Sequence, residues 1–547
     1  MKSTSRFLTA GLAVLAFVSL ASAQSTPTVV VVTGINRSYP GAMNQSGQFI
    51  GSGEITPGNY GSFLCDPATG QVQWLPAFGI DSVSAQALND AGQVMGTFHP
   101  GGVDSYGNTI FRTFVWSAAG GYRDLGTLGG NYTLGGGINT AGQVFGSSET
   151  ASNDNHAAFF WDGTTLRDLG TLGGGGAYAN GMNNHGQVVG TAARADGSWA
   201  PFIWDAANGM REIPAGQDYA EPYGINDDGV VFMRDAFTGG IIVWDSVRGA
   251  RIFSDPNPGV GFFSMGWRIL GFFSNGQAVF NNQRMTGTIA LVLDPITGWQ
   301  TIASPDGSVV TGGVQGFSKS GYVASSGSSV LGDQHAFIWD AAHGTRDLGT
   351  LGGGNYSYAA GVNDRGQVTG GSGTASGETH AFLWDAATGM TDLGAGSPNS
   401  IGTNISNGAV AGYASTADYS TYHAFYAKLS AVATAPDLTI TALATTNNKA
   451  PQGQKVTISA TVKNSGTATA AASVTAFKDG TNVLGLLATP ALAAGQSVTV
   501  SVDMRTASQN GVHVLSVAAD SAGTVTESSE TNNTASLTVT IKGNKVI

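Results

Sequence analysis

The chain has 547 residues, a formal net charge of −12, only 11% charged residues and 81 glycines. So acidic a surface excludes nucleic acid and anionic lipid as natural partners, and the glycine content speaks for many tight turns rather than a disordered polyelectrolyte. Cys65 is the single cysteine, so no internal disulfide can form and a large buried core has to supply the stability.

Residues 1–23 read as a signal peptide: Lys2 and Arg6 are positive, Phe7 to Leu20 is apolar, and Ala21-Ser22-Ala23 is a small-residue cleavage site. Cleavage would start the mature chain near Gln24 and leave it more acidic still. No other segment approaches about 18 uninterrupted apolar residues. The sequence therefore predicts export by the general secretory pathway, an extracellular or cell-surface location and no membrane insertion.

From Gln24 to residue 430 the chain repeats itself. The clearest copies run from His335 to Gly370, from Ala157 to Gly190 and from Thr113. They are framed by Trp116, Trp161, Trp204, Trp244, Trp339 and Trp384, with Cys65, Leu293 and Ala427 at the same place elsewhere. The mean spacing is about 45 residues, the length of one four-stranded propeller blade. Each period divides into four short apolar runs, and no segment carries a long apolar 3.6 period, so strands are expected throughout. Asn-x-x-Gly (Asn89 to Gly92, Asn139 to Gly142, Asn183 to Gly186, Asn363 to Gly366) marks the first tight turn of a period, and Trp-Asp-Ala-Ala-x-Gly the second. The last copy stops after its third strand, His423 to Leu429. The unassigned strand Val29 to Val32 is expected to pair there and close the ring. Nine blades follow from this count, with eight as the alternative.

A compositional break follows at 431–435. All ten Trp precede it, and the last stretch, 436–547, has six lysines and one aromatic, Phe477. Its short alternating runs predict an immunoglobulin-like β-sandwich. The fold class read from the sequence is thus all-β: a closed multi-bladed β-propeller at 24–430, a linker, and a sandwich.

The HAFIWD, RDLGTLGG and VNDRGQVTG segments resemble the HAF repeat of bacterial extracellular repeat proteins. That resemblance implies an extracellular, propeller-like array with no established reaction. PDLTI, VTISATVKNSGTATA and GTVTESSETNNTASLTV resemble the CARDB domain, a bacterial module associated with adhesion and surface display.

Among candidates for chemistry, the GTLGGG segments lack the Lys-Ser/Thr and the helix that phosphate binding needs, and read as linkers between blades. His335, His380 and His423, with His156 one residue out of register, recur at one strand position instead of converging on an ion, and read as structural. Asp104, Asp218, Glu221 and Asp255 are the loop acids that a hydrolase would need. In the sandwich, Asp520, Glu527, Glu530, Asn532 and Asn533 read as turn caps rather than calcium ligands. No catalytic residue, cofactor or metal is assigned.

The long loops, between second and third strands and between blades, define the expected binding face. The residues assigned to ligand binding are Tyr132, Tyr178, Tyr219, Tyr223, Tyr356, Tyr358, Trp199 and Trp267, with Asp104, Tyr106, Phe262 and Phe263 beside them. The function expected is non-catalytic recognition of an extracellular glycan or protein by a monomer. The alternatives are a propeller enzyme acting on polysaccharide and a structural surface or matrix component.

Overall fold

The computed structural model describes residues 27–542 except 34, 77–82, 152–155, 217–219, 236–239, 255, 257–265, 285–286, 305, 308–311, 330, 395, 417–419, 430–435, 467, 506–509, 526 and 528–531. The expected signal peptide and linker lie outside the described residues. The chain divides into two compact units, Met1–Ser430 and Ala431–Ile547.

In the first unit the described strands form seven separate four-stranded antiparallel sheets and one eight-stranded sheet. The eight-stranded sheet is two four-strand groups joined by a single parallel bridge, Thr379 to Asn399. In chain order the groups span 36–74, 84–124, 129–168, 173–212, 221–253, 266–301, 314–347, 357–392 and 399–428. The ninth takes its fourth strand from the other end of the chain: Val29, Val30 and Val31 pair antiparallel with Ala427, Tyr426 and Phe425.

One register runs through all nine groups. In the first eight groups each framing residue faces the first residue of the group's second strand, as in Phe49 with Cys65, Val94 with Trp116, Val144 with Trp161 and Val188 with Trp204; in the ninth Ala427 faces Val410, the second residue of that strand. Two residues earlier on the third strand stands a fully buried Phe (63, 114, 159, 202, 337, 382 and 425), replaced by Ile242 and Leu291 in the fifth and sixth groups. The residue opposite is usually glycine, because that place is full. A Cβ on Gly190 would lie 1.9 Å from the Tyr178 carbonyl oxygen and 2.9 Å from the Phe202 ring. The fifth and sixth groups carry Met233 and Phe280 there, and an aliphatic residue takes the place of the Phe.

Each hydrophobic cluster of this unit draws on two consecutive groups, so the sheets are stacked side to side by burial. One cluster joins Phe49, Phe63 and Cys65 of the first group to Ala411, Ala424 and Tyr426 of the ninth. Polar links repeat the pattern. In the turns that begin at Asn89, Asn139, Asn183 and Asn363 the Asn accepts two backbone N–H bonds from its own turn through Oδ1, as Asn183 does from His185 and Gln187, and Asn44 accepts the Gln48 N–H and the Ser46 hydroxyl. The Nδ2 of these asparagines donates to a backbone carbonyl of the next group: Asn44 to Asn89 at 3.1 Å, Asn89 to Asn139 at 2.9 Å, Asn183 to Asn226 at 3.0 Å, Asn363 to Ser406 at 3.0 Å.

The second unit is a two-sheet sandwich. Strands Leu438–Thr445, Lys455–Asn464 and Ser497–Arg505 form one sheet, and Lys449–Pro451, Thr534–Lys542, Gly511–Ala518, Ser473–Asp479 and Asn482–Thr489 the other. Val456, Ile458, Phe477, Leu515 and Val539 fill the space between them. The acidic turn is tied inward. Asp520 accepts from the Thr524 and Val525 N–H groups at 3.1 and 2.8 Å, and Glu527 accepts from Asn533 Nδ2 at 3.0 Å and from the Leu438 N–H. Glu530 lies outside the described residues.

Candidate functional site

In every repeat the first strand runs from the long-loop side toward the first tight turn, and side chains alternate along it. The fifth residue before the apolar residue that precedes the turn points inward: Ser38, Thr133, Ala177, Ser357 and Ser400 are all buried at that place. The fourth points outward. Tyr39, Leu134 and Tyr178 occupy it and are 38%, 52% and 42% exposed. Beside them on the same side, at or within one residue of the start of the third strand and five residues before the framing position, stand Tyr60, Phe111, His156, Trp199 and Tyr422.

These two positions meet across the seam between consecutive groups. At the third seam Tyr178 of the fourth group lies 5.5 Å from the His156 ring of the third, and within its own group it stacks on Trp199, with ring centroids 5.5 Å apart and planes at 26°. At the seam between the ninth and first groups, Tyr39 lies 5.3 Å from Tyr422 and 5.4 Å from Tyr413. Partly exposed rings thus gather on the long-loop side at these two seams. On the same side the hairpin of the longest insertion projects Tyr106, 87% exposed, and Tyr132 donates its hydroxyl proton to Asp104 Oδ2 at 3.0 Å.

Of the expected ligand-binding residues, Tyr178 and Trp199 are brought together, and Tyr132 joins the Asp104 hairpin. Tyr356 hydrogen-bonds Thr379 through its hydroxyl, and Tyr358 lies over Gly371. Two of the set are packing residues instead. Trp267 stands at the inward position, is 5% exposed and stacks on Trp299 at 4.9 Å. Tyr223 packs against the same cluster, and burial pushes its hydroxyl up to about 12. Tyr219, Phe262, Phe263, Asp218 and Asp255 lie outside the described residues. His156, Phe111, Tyr39 and Tyr422 were missed. The signal that finds them is the distance back from the framing residue, combined with strand alternation.

The histidines of the repeats have structural partners: His335 bonds Asp347, His380 bonds Asp392, and His423 Nδ1 lies 3.2 Å from the Ile35 carbonyl. Among the described residues there is no group of three or more His, Cys, Asp or Glu that could hold a metal ion. In the GTLGG turns the threonine donates to a nearby carbonyl, as Thr171 does to Gly174 at 2.9 Å, so the loop closes on itself.

A cavity of about 640 Å³ lies on the opposite, short-turn side. Apolar residues that precede the turns wall it, among them Met43, Ile138, Met182, Phe317 and Ile405, and Lys319 and Asp228 stand at its rim.

The CARDB family model matches residues 435–537. The C-terminal unit is a CARDB domain. Solved structures similar to it include the CARDB domain of the PF1109 protein from Pyrococcus furiosus in complex with di-metal ions, at 18% identity and TM-score 0.19 over 20% of this chain and 96% of that one. A Methanosarcina acetivorans domain described as part of a cell surface protein matches at 22% identity and TM-score 0.18, over 20% and 93% of the two chains. A TolB-type protein from Agrobacterium tumefaciens matches at 15% identity and TM-score 0.30, over 49% and 89%. No curated protein matches the chain. Among the described residues no helix is long and apolar enough to cross a membrane.

Proposed function

We propose that this chain is an exported recognition protein of the HAF-repeat type: a nine-bladed propeller closed by Val29 to Val31, binding an extracellular glycan through the aromatic collar of its long-loop face, with the CARDB domain as spacer or surface-attachment module. The stacking of Tyr178 on Trp199 beside His156, with Tyr178 42% exposed, carries the reading. Large rings with few rotatable bonds, held by one another before a ligand arrives, bury apolar area at low entropic cost, and this suits the flat apolar faces of sugar rings. The pairing of Val29 to Val31 with the ninth group supports the closed ring, since it covers an edge that would otherwise template aggregation.

The test is a glycan array with the full mature chain, followed by titration of the best hit against the double variant Tyr178→Ala/Trp199→Ala. A loss of at least tenfold in affinity with a melting temperature within a few degrees of the parent supports the proposal. Undiminished binding by the double variant overturns it. Binding abolished only by blocking the short-turn cavity with Met182→Arg would move the site to the other face.

A second reading is favoured by the aliphatic members of the same side. Val103 is 61% exposed and Leu134 52%, beside Phe111 at 43%. A protein partner would bury these where a sugar would not, and loss of binding on Leu134→Asp alone would select it.

A further inference from the structure

The collar is not chemically uniform. At the third seam the residue two before Tyr178 is Gly176, whereas two before Tyr39, at the seam of the ninth and first groups, stands Arg37. Arg37 is exposed, lies beside the Tyr60 hydroxyl and close to Glu54, and has φ 46°. Only one other described non-glycine residue, Asp520, has a positive φ. For an unbranched side chain held in the left-handed region such a backbone is costly, and it persists where surrounding structure or function demands it. Tyr60 and Tyr39 stand beside this guanidinium, and Tyr413 and Tyr422 from the other end of the unit pack against Tyr39. Tyr39 is 38% exposed and Tyr60 43%; Tyr413 and Tyr422 are half-buried and lie 6.0 Å apart. Glu54 is partly engaged already, since its Oε1 accepts the Gly58 N–H at 2.7 Å.

We propose that this seam is a second collar site that takes an acidic sugar unit, its carboxylate on Arg37 and its ring against Tyr39 and Tyr422. The third seam takes a neutral unit. An arginine fork matches a carboxylate in two-point geometry, and tyrosine faces supply the apolar contact a pyranose needs. On a chain of net charge −12, an exposed arginine set among tyrosines is also the place where an anion meets least repulsion.

The inference rests on the collar binding glycans, and the experiment separates the two. The full mature chain is titrated with a galacturonate oligomer and with a neutral cello-oligomer of equal length, in low and high salt. Arg37→Gly is the variant of choice, because glycine suits a φ of 46° and keeps the fold. The expected result is at least tenfold weaker uronate binding by Arg37→Gly, loss of the salt dependence of that binding, and unchanged neutral binding. Tyr178→Ala/Trp199→Ala should do the reverse. Uronate binding that ignores both Arg37→Gly and salt overturns the acidic site while leaving the collar standing, provided neutral binding still depends on Tyr178 and Trp199. If neither oligomer binds, or neither variant changes anything, both readings fall.

Discussion

His335 Nδ1 lies 2.9 Å from each carboxylate oxygen of Asp347, and Asp347 Oδ1 in turn accepts the Gly349 N–H at 2.8 Å. The start of a third strand is thereby tied to the turn that leaves the fourth. His380 and Asp392 repeat the arrangement at 2.8 Å. In the second group Arg112 stands at the histidine position and reaches Asp124 at 3.2 Å. His335→Ala should therefore lower stability by about 1 kcal/mol, the ordinary worth of one such bond, and His335→Arg should recover most of it. Denaturant titration of the full chain checks this. A zinc-dependent rise in melting temperature, lost in His335→Ala, would contradict the structural role.

Gly190 answers a different constraint, because a methyl group there would fall 1.9 Å from the Tyr178 carbonyl oxygen. Gly190→Ala should destabilise by roughly 3 kcal/mol or fail to give soluble protein, since backbone rather than a movable side chain is in the way. Gly209→Ala, where the Cβ meets nothing within 4 Å, costs only the strain of a positive φ and should be the milder of the two. Equal effects would show that the close contact at Gly190 relaxes.

Much of this was legible in the sequence. The nine framing positions share one register, so their spacing gave the strands, and the unpaired Val29 to Val32 pointed to the incomplete last repeat. The Asn turns were legible as turns, but not as links between groups, because the accepting carbonyl lies about one repeat further on and only packing brings it within reach. The collar was half legible. Tyr178 was found as an aromatic of the long-loop side, but so was Trp267, which stands one residue further from its turn. Strand alternation turns that neighbour into the core. His156 was read only for its place in the His motif and Tyr422 was not singled out at all, since nothing in a single repeat shows that the third strand of one group faces the first strand of the next.

Cys65 occupies a framing position and is fully buried between the first and ninth groups. Burial, with a smaller contribution from the charge of Asp66, pushes its thiol up to about 12, so near pH 8 it is neutral as well as inaccessible. Native protein should resist a thiol reagent for hours and react fully in denaturant. Deletion of residues 24–33 removes the strand that covers this seam and should speed labelling at least tenfold, and a rate equal to the parent's would mean that the seam holds without it.

The sharpest pH prediction comes from the turns between third and fourth strands. Asp162 is held well below the ordinary carboxylate range by the Thr164 hydroxyl, by the Thr165 and Thr164 N–H groups and by Arg167. In Asp205 and Asp245 burial works in the opposite direction, but hydrogen bonds, led by the N–H groups of Asn208 and of Arg248, outweigh it and the net shift is again downward. Carboxylates whose folded pKa is depressed take up protons more readily in the unfolded chain, so stability rises with pH across this range. Their contribution is fully present above the unfolded value of about 3.9 and is lost as pH falls through the lower folded values. The triple variant Asp162→Asn/Asp205→Asn/Asp245→Asn should be less stable than the parent at pH 6, and the gap should narrow steadily between pH 4 and pH 2. Denaturation midpoints at four pH values measure it. A gap that stays constant down to pH 2 would mean that the three turns are held by shape alone and that their charge contributes nothing.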